Sequence, residues 1–260
     1  ENNRRKSLYS VAEAEQSLLC ALDLEDWRPP EPLTYTRRAS DVFAAGRMDA
    51  DYFAPRVDGL LKRLSRGGQT VGDVAPARRE KFKAAGDGEF DYIEISDVLS
   101  DGTVASSRMA GREAPSRATW HVHAGDVLTS TVRPIRRLSA IVTPEQDGFV
   151  CSSGFVVLQP RRIAPEVCLT YLRLPLVCEL MDLHTSASLY PAISDTDLLA
   201  LPFPEIGEPA CAKIVDAVRT AHAARRRAHA LLERAKRAVE IAIEESEAAA
   251  LRFLAEPLEG

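Results

Sequence analysis

The stretch "GDVLTSTVRPIRRLSAIV", from Gly125 to Val142, decides how the middle of this chain folds. Both of its ends are rich in branched apolar residues, as β-strands are. Pro134 lies between them and has no N–H to donate to a sheet, so we expect the strand to be interrupted there and the turn of a β-hairpin to project as a loop. That loop carries three guanidiniums, on Arg133, Arg136 and Arg137, directly after the hydroxyls of Thr129, Ser130 and Thr131.

The sequence around this hairpin alternates short apolar runs with Gly, Asp and Pro turns, which is typical of short β-strands. The runs are "DYIEISDVL", "TWHVHAGDVLTS", "LSAIVT" and "GFVCSSGFVVLQP". Helical spacing follows in "PEVCLTYLRLPLVCELM", and a short helix is predicted after Pro55. These patterns predict an α+β fold, in which a mixed, twisted β-sheet belongs to one globular domain.

A short N-terminal helix is predicted over residues 7–24, where the sequence has an amphipathic pattern. Its stripe is formed by Leu8, Ala12, Glu15, Leu19 and Leu22, and four of these five residues are apolar. The prolines of "EDWRPPEP" then end the helix, because proline cannot continue it.

The C-terminal segment, residues 206–254, has a heptad pattern typical of a long coiled-coil helix. Position a is Cys211, Val218, Arg225, Leu232, Val239, Ser246 and Phe253, and position d is Ile214, Ala221, Ala228, Ala235, Ala242 and Ala249. At ~1.5 Å per residue such a helix is about 70 Å long and cannot bury its stripe alone. We therefore expect a partner or oligomer interface at Ile214, Val218, Ala221, Ala228, Leu232, Ala235, Val239 and Ala242.

The composition excludes several classes of protein. The 260 residues are 45% hydrophobic and 27% charged, and no apolar run approaches the ~20 residues of a membrane span. Five scattered cysteines without a C-x-x-C pair are typical of reduced thiols, so we expect a cytoplasmic protein that does not bind membranes. The net charge of −5 is unusual for a DNA-binding domain, but the arginines are concentrated between residues 108 and 137.

The sequence lacks a recognisable catalytic motif. "RPPEP" and "LPFPE" do not match the [ND]-P-P-[YF] loop of an amino-methyltransferase, and "CSSGF" lacks the G-x-S-x-G elbow of a hydrolase. The imidazoles of His121 and His123 could hold a metal, but without a further ligand nearby a structural or DNA-facing role is favoured. We expect no catalytic residue, no metal site and no cofactor bound by this chain.

Five passages, taken in order, resemble one target-recognition half of the specificity subunit of a type I restriction–modification system. They are "SLYSVAEAEQSLLCALDLEDW", "GRMDADYFAPRV", "DYIEISDVLSDGTV", "GDVLTSTVRP…AIV…GFVCSSGFVVLQP" and "HTSASLYPAISDTDLLALPFPEI", followed by the long helix. No single motif is diagnostic, and the order carries the resemblance. One departure is "PEIGEPACAKI", which lacks the glutamine that often follows the proline in the family.

The resemblance implies a division of the chain into parts. These are a spacer-type helix over 1–24, a linker over 25–45, the target-recognition domain over 46–205 and a long coiled-coil helix over 206–255. Only one recognition domain is visible, and the chain begins at Glu1 rather than Met. We therefore expect a half-length subunit that forms a homodimer, or the second half of a longer chain. Residues 245–254 also faintly repeat residues 13–22.

The resemblance implies a non-catalytic subunit that reads a half-site in double-stranded DNA and positions a DNA methyltransferase subunit there. S-adenosylmethionine is then expected on that partner, and a restriction or translocase subunit can join the assembly. The rival interpretation is a coiled-coil scaffold that assembles proteins without reading DNA. An independent enzyme is the third alternative, and the lack of a catalytic constellation disfavours it.

The candidate DNA-binding residues lie in three segments whose simplest interpretation is a solvated surface or turn. Arginine can bind guanine or phosphate, and serine and threonine hydroxyls can reach either. The hairpin supplies Arg133, Arg136, Arg137, Thr129, Ser130 and Thr131; by resemblance, the later loop supplies Thr185, Ser186, Ser188 and Tyr190. A basic stretch adds Arg78, Lys81 and Lys83, and as a charge run it is first of all a solvated face.

Overall fold

The computed structural model describes residues 2–29, 31–84, 86–186 and 190–256, without the side chain of Ser186. The helices are α1 (Asn2–Ala21), α2 (Ala39–Ala45), α3 (Pro55–Leu64), α4 (Val71–Val74), α5 (Pro165–Arg173), α6 (Pro175–Leu183), α7 (Asp195–Ala200), α8 (Glu208–Glu244) and α9 (Glu247–Ala255). The strands are β1 (Gln69–Thr70), β2 (Glu89–Ile93), β3 (Ser107–Ala110), β4 (Ala118–His121), β5 (Val127–Ser130), β6 (Ser139–Ile141), β7 (Val150–Ser152), β8 (Phe155–Leu158), β9 (Thr185–Ser186), β10 (Ala192–Ile193) and β11 (Pro202–Phe203). This confirms the predicted α+β class.

Two larger sheets form the centre of the recognition region, in the orders β3-β2-β7-β4 and β6-β5-β8. The first is mixed, because β2 and β7 are parallel while the other neighbours are antiparallel. Residues 77–82 join the two sheets, since Ala77 pairs with Leu158 of β8 and Lys81 pairs with Trp120 of β4. The predicted hairpin is confirmed, because β5 and β6 pair antiparallel on either side of Pro134.

Strand β5 is central in its sheet and is buried on both faces. Side chains alternate along a strand, so Val127 packs into the core shared with the helices while Leu128 packs into the core shared with the other sheet. The neighbouring strand β8 divides its side chains in the same way, with Val156 on the helical side and Val157 on the other. The three-stranded sheet therefore lies between the helices and the four-stranded sheet.

Helix α1 runs antiparallel along the first half of α8. Its end lies beside the start of α8, where Cys20 and Pro209 border one groove, and its start lies beside Arg225. The predicted apolar stripe is wrong in detail, because Leu8 and Ala12 are exposed. The buried face consists of Ser7, Ser10, Ala14 and Leu18. Ala217, Ala221 and Ala224 of α8 are buried as well, so small side chains predominate in the buried faces of both helices.

The predicted single helix over residues 206–254 is two helices. Helix α8 ends at Glu244 and is about 56 Å long at ~1.5 Å per residue. The Ser246 hydroxyl accepts a hydrogen bond from the Ala249 N–H and so caps α9. Helix α9 folds back along α8, where Arg234 lies 5.4 Å from the Phe253 ring centre and donates a 2.7 Å hydrogen bond to the Phe253 carbonyl.

The heptad seam of α8 is covered along its first half and uncovered along its second. Ile214, Val218 and Ala221 are buried inside the chain, so the prediction that they form a partner interface is wrong. They pack against the chain's own α1 and α5 instead. Further along the helix, four predicted interface residues are exposed to solvent: Leu232, Ala235, Val239 and Ala242. Ala228, between the two halves, is half-buried.

Candidate nucleic-acid interface

The turn of the β5–β6 hairpin is built around Pro134. A 3-10 turn spans Pro134–Arg136, and the residues on either side of it, Arg133 and Arg137, have left-handed φ values of 50° and 61°. Pro134 is itself buried. Left-handed φ is unfavourable for a long side chain, so the surrounding contacts must hold this conformation. These contacts therefore fix the backbone positions from which the exposed side chains of the turn extend.

The predicted later loop lies directly beside this turn, although it is about 50 residues further along the chain. The Arg133 N–H donates a 2.8 Å hydrogen bond to the Pro191 carbonyl, and Ile193 N–H donates one of 3.1 Å to Thr131. The Arg133 guanidinium lies 5.7 Å from the centre of the Tyr190 ring, which is 71% exposed. Two segments that the sequence could only treat separately thus form one surface.

The outer part of this surface combines charge with apolar area. Arg136 is exposed, and Ile135 beside it is 53% exposed. Sequence reasoning missed Ile135, because an apolar residue next to a proline in a strand-rich stretch is expected to be buried. We call the side chains of Arg133, Ile135, Arg136 and Tyr190 the tip.

The three predicted hydroxyls do not reach this surface. Thr129, Ser130 and Thr131 are buried, because β5 is covered on both faces. The Thr129 hydroxyl donates a 2.9 Å hydrogen bond to the Ser139 hydroxyl, and the Thr131 hydroxyl donates one of 3.1 Å to the Gly154 carbonyl. Their prediction as DNA contacts is therefore wrong.

The Arg137 side chain is half-buried and turns towards α1 and α5. Its Nε donates a 2.6 Å hydrogen bond to the Arg173 carbonyl, and its Nη2 forms an ion pair with Glu15 of α1. These bonds occupy Nε and Nη2 of the guanidinium, which favours a structural role for Arg137 over the predicted DNA contact. Glu15 had a sequence signal, since it was the charged member of the predicted apolar stripe.

In the later loop, only part of the prediction falls on described residues. The Thr185 hydroxyl donates a 2.8 Å hydrogen bond to the Asp182 carbonyl and thereby caps the end of α6. The Ser186 side chain and the whole of Ser188 lie outside the described residues. Tyr190 is the exposed member of the predicted set.

In the basic stretch 77–83, one predicted residue has a structural role and two are exposed. Arg78 makes two hydrogen bonds to the buried carboxylate of Asp126, at 2.7 and 3.1 Å, and these bonds raise the pKa of its guanidinium. Its prediction as a DNA contact is wrong, because it holds this segment against the start of β5. Lys81 and Lys83 are exposed on the segment beside β4.

The two imidazoles considered for metal binding have separate partners. His123 contacts Glu80 at 3.0 Å and Asp147 at 3.2 Å, while His121 Nδ1 lies 3.3 Å from the Gly148 carbonyl. Within the described ranges, no group of three or more His, Cys, Asp or Glu residues is arranged to hold a metal ion.

None of the described helices is both long and apolar enough to cross a membrane.

Solved structures with a similar fold include the HsdS subunit from Thermoanaerobacter tengcongensis, with 28% sequence identity and a TM-score of 0.50 over 67% of this chain. Another comes from work on complex assembly and conformational transition of the type I R-M system, with 26% identity and a TM-score of 0.52 over 66% of this chain. The matches cover 46% and 45% of those chains, so this chain corresponds to about half of each. Neither a protein-family model nor a curated protein matches the sequence.

These comparisons define the class of fold. The neighbours are specificity subunits of type I restriction–modification systems. The chain shares their arrangement of an N-terminal helix, mixed sheets and a long C-terminal helix. The resemblance that the order of sequence passages predicted is thus confirmed at the level of three-dimensional structure.

Proposed function

We propose that this chain is a DNA-sequence-recognition module of a type I restriction–modification complex. It reads one half-site in double-stranded DNA through the tip and has no catalytic role of its own. The observation that carries this proposal is the convergence of two distant segments, joined by backbone hydrogen bonds, on one basic surface in a fold of the specificity-subunit class.

The chemistry of the tip suits the edges of base pairs. A guanidinium can donate two hydrogen bonds to guanine O6 and N7, and it binds phosphate equally well. The Tyr190 ring and the Ile135 side chain add apolar area beside these donors. The chain has a net charge of −5, and much of the sequence-independent affinity for DNA can come from partner subunits.

We propose that the partner is a DNA methyltransferase subunit, which binds S-adenosylmethionine and docks on the exposed heptad seam in the second half of α8. A second recognition half, from another copy or from the upstream part of a longer chain, then reads the other half-site. The helices separate the two recognition surfaces by a fixed distance. A restriction or translocase subunit can join the same cytoplasmic assembly.

The test is selection from a library of duplexes with a randomised central segment, using the chain together with its co-purified methyltransferase subunit. We expect one enriched motif. Replacing Arg133 or Arg136 with alanine should weaken binding to that motif by roughly 1–3 kcal/mol where the arginine reads a base, and should weaken all duplexes alike where it binds phosphate.

The matched control is Arg112→Ala, because Arg112 is an exposed arginine paired with Asp87 on the four-stranded-sheet side of the domain. It should leave both the motif and the affinity unchanged. If no motif is enriched, the scaffold interpretation replaces this proposal. If a motif is enriched and both variants keep full affinity and full preference, the hairpin is not the reader, and the loop over 185–190 becomes the leading candidate.

A further inference from the structure

We infer that Glu15, Arg137 and Arg173 form a clasp that fixes the tip to helix α1, and that the sequence preference of the tip depends on this clasp. The inference rests on the proposed function, because it concerns how the same surface distinguishes one sequence from another. It makes Glu15 and Arg137 positioning residues, since neither side chain belongs to the tip.

The two arginines hold each other's backbone. Arg137 Nε donates a 2.6 Å hydrogen bond to the Arg173 carbonyl, and Arg173 Nη1 donates one of 2.8 Å to the Arg137 carbonyl. Arg173 also donates to the carbonyl of Ser139, at 3.0 Å, and to that of Ser100. The last residue of α5 is thereby bonded to the turn, to β6 and to the loop before Gly102.

A glutamate on α1 balances this pair of like charges. Arg173 is 6% exposed, and burial, followed by the nearby charge of Arg137, lowers the pKa of its guanidinium. Glu15 is largely buried and forms the ion pair with Arg137. Buried charges contribute little net stability when their desolvation is counted, and their best-attested use is to specify one arrangement. The clasp therefore selects a position for the turn.

The loop before Gly102, to which Arg173 is bonded, is also held by α8. The Asp101 carbonyl lies 3.2 Å from His222 Nε2, and its buried carboxylate lies 3.5 Å from Arg225 Nε. Glu15, Asp101, Arg173 and Val218 line one small cavity where α1, α5 and α8 meet. A continuous set of polar contacts thus connects both long helices to the tip.

The backbone of the turn explains why such a connection is needed. Arg133 and Arg137 both have left-handed φ, a conformation that long side chains adopt only under constraint. Without the clasp, the turn can relax to other conformations, and the guanidiniums of the tip lose their fixed positions. Discrimination between bases depends on such positions, whereas attraction to phosphates does not.

The experiment uses Glu15→Gln, which removes the charge from a residue on α1 while leaving the tip unchanged. We expect the ratio of affinities for the selected motif and for a scrambled duplex to fall about tenfold, with the affinity for the scrambled duplex unchanged. Arg137→Gln should have the same effect, and the double variant should be no worse than either single variant. Glu13→Gln, at an exposed position of the same helix, is the control.

Hydrogen–deuterium exchange of the free chain provides a measurement without DNA. Glu15→Gln should speed exchange of the amides of residues 133–139 while strands β2 and β7 keep their protection. Arg137→Lys keeps the charge without the planar fork, and it should give an intermediate result in both assays if Glu15→Gln fails to fold.

The outcomes separate the two levels of proposal. If the wild-type complex selects a motif and Glu15→Gln lowers only the melting temperature, the clasp is a stabilising contact alone and this inference is wrong. If the wild-type complex selects no motif, the proposed function fails and the dependence of preference on the clasp fails with it, whatever the exchange data show. If Glu15→Gln leaves the exchange of residues 133–139 unchanged, the clasp does not hold the turn and this inference is wrong.

Discussion

The two halves of helix α8 carry the same heptad pattern and have opposite environments. In the first half, Val218 is buried against α1 and α5; in the second, Leu232 is 55% exposed and Val239 is 60% exposed. Helix α1 is 20 residues long and spans about 30 Å, so it covers only about half of α8. An apolar repeat therefore shows which face of a helix needs cover and leaves open which molecule supplies it.

The largest effect is expected for a charge placed in the covered half. Val218→Asp should destabilise the chain by several kcal/mol, because the carboxylate is buried without a partner. That loss is a large share of the ~5–15 kcal/mol by which domains are stable, so the variant should be unfolded or melt far below the wild type. Circular dichroism during thermal denaturation measures it. A Val218→Asp chain with wild-type stability would contradict the burial of this seam.

The same substitution in the uncovered half should have a different effect. Leu232→Asp together with Val239→Asp should leave the melting temperature of the isolated chain nearly unchanged, because both positions are already solvated. We expect it to abolish association with a second copy or with the methyltransferase subunit, at a cost of several kcal/mol in the complex. Sedimentation velocity measures this. If the wild-type chain neither self-associates nor binds the methyltransferase subunit, and the two substitutions have no effect, α8 has no docking role.

The smallest effect is expected for the pH dependence of stability at His222, which lies near the middle of α8. Burial lowers the pKa of His222 below its ordinary value of 6.5. Below pH ~6.5 the imidazole of His222 therefore binds a proton more readily in the unfolded chain than in the folded chain. The stability contributed by the neutral imidazole falls as the pH drops.

His222→Gln removes this dependence, and urea denaturation at several pH values measures it. The variant should be less stable than the wild type at about pH 8, and the gap should narrow towards about pH 5. Burial also lowers the pKa of His184, and that second histidine is common to both proteins, so it cancels from the comparison. A gap that stays constant or widens as the pH falls would show that the folded chain accepts the proton on His222.

Much of the fold could be predicted from sequence because its signals are local. Branched apolar residues on both sides of Pro134 predicted the hairpin, and the spacing after Pro55 predicted α3, both of which the structure has. The break of α8 could not be predicted in this way. Residues 245–246 are Glu and Ser, neither of which is a strong helix breaker, and the heptad continues through them. Packing of α9 back onto α8 supplies the reason for the break.

The candidate site was predicted by region more accurately than by residue. The sequence identified the turn and the later loop, and Arg133, Arg136 and Tyr190 lie on the surface that they form. It could not show that β5 is a central strand, and that position buries the hydroxyl of Thr129. Nor could it show that Arg137 turns inward, since its partner Glu15 is 122 residues away in the chain.

The sequence by itself determined the order of the elements, the apolar face of each and the concentration of arginines around one turn. Each of these depends on a residue and on neighbours two to four positions away, so a local pattern records it. The tertiary structure alone decided which of those faces and arginines meet solvent. Exposure is set by whatever packs on an element, and here the covering residues of β5, of α8 and of Arg137 all come from distant parts of the chain.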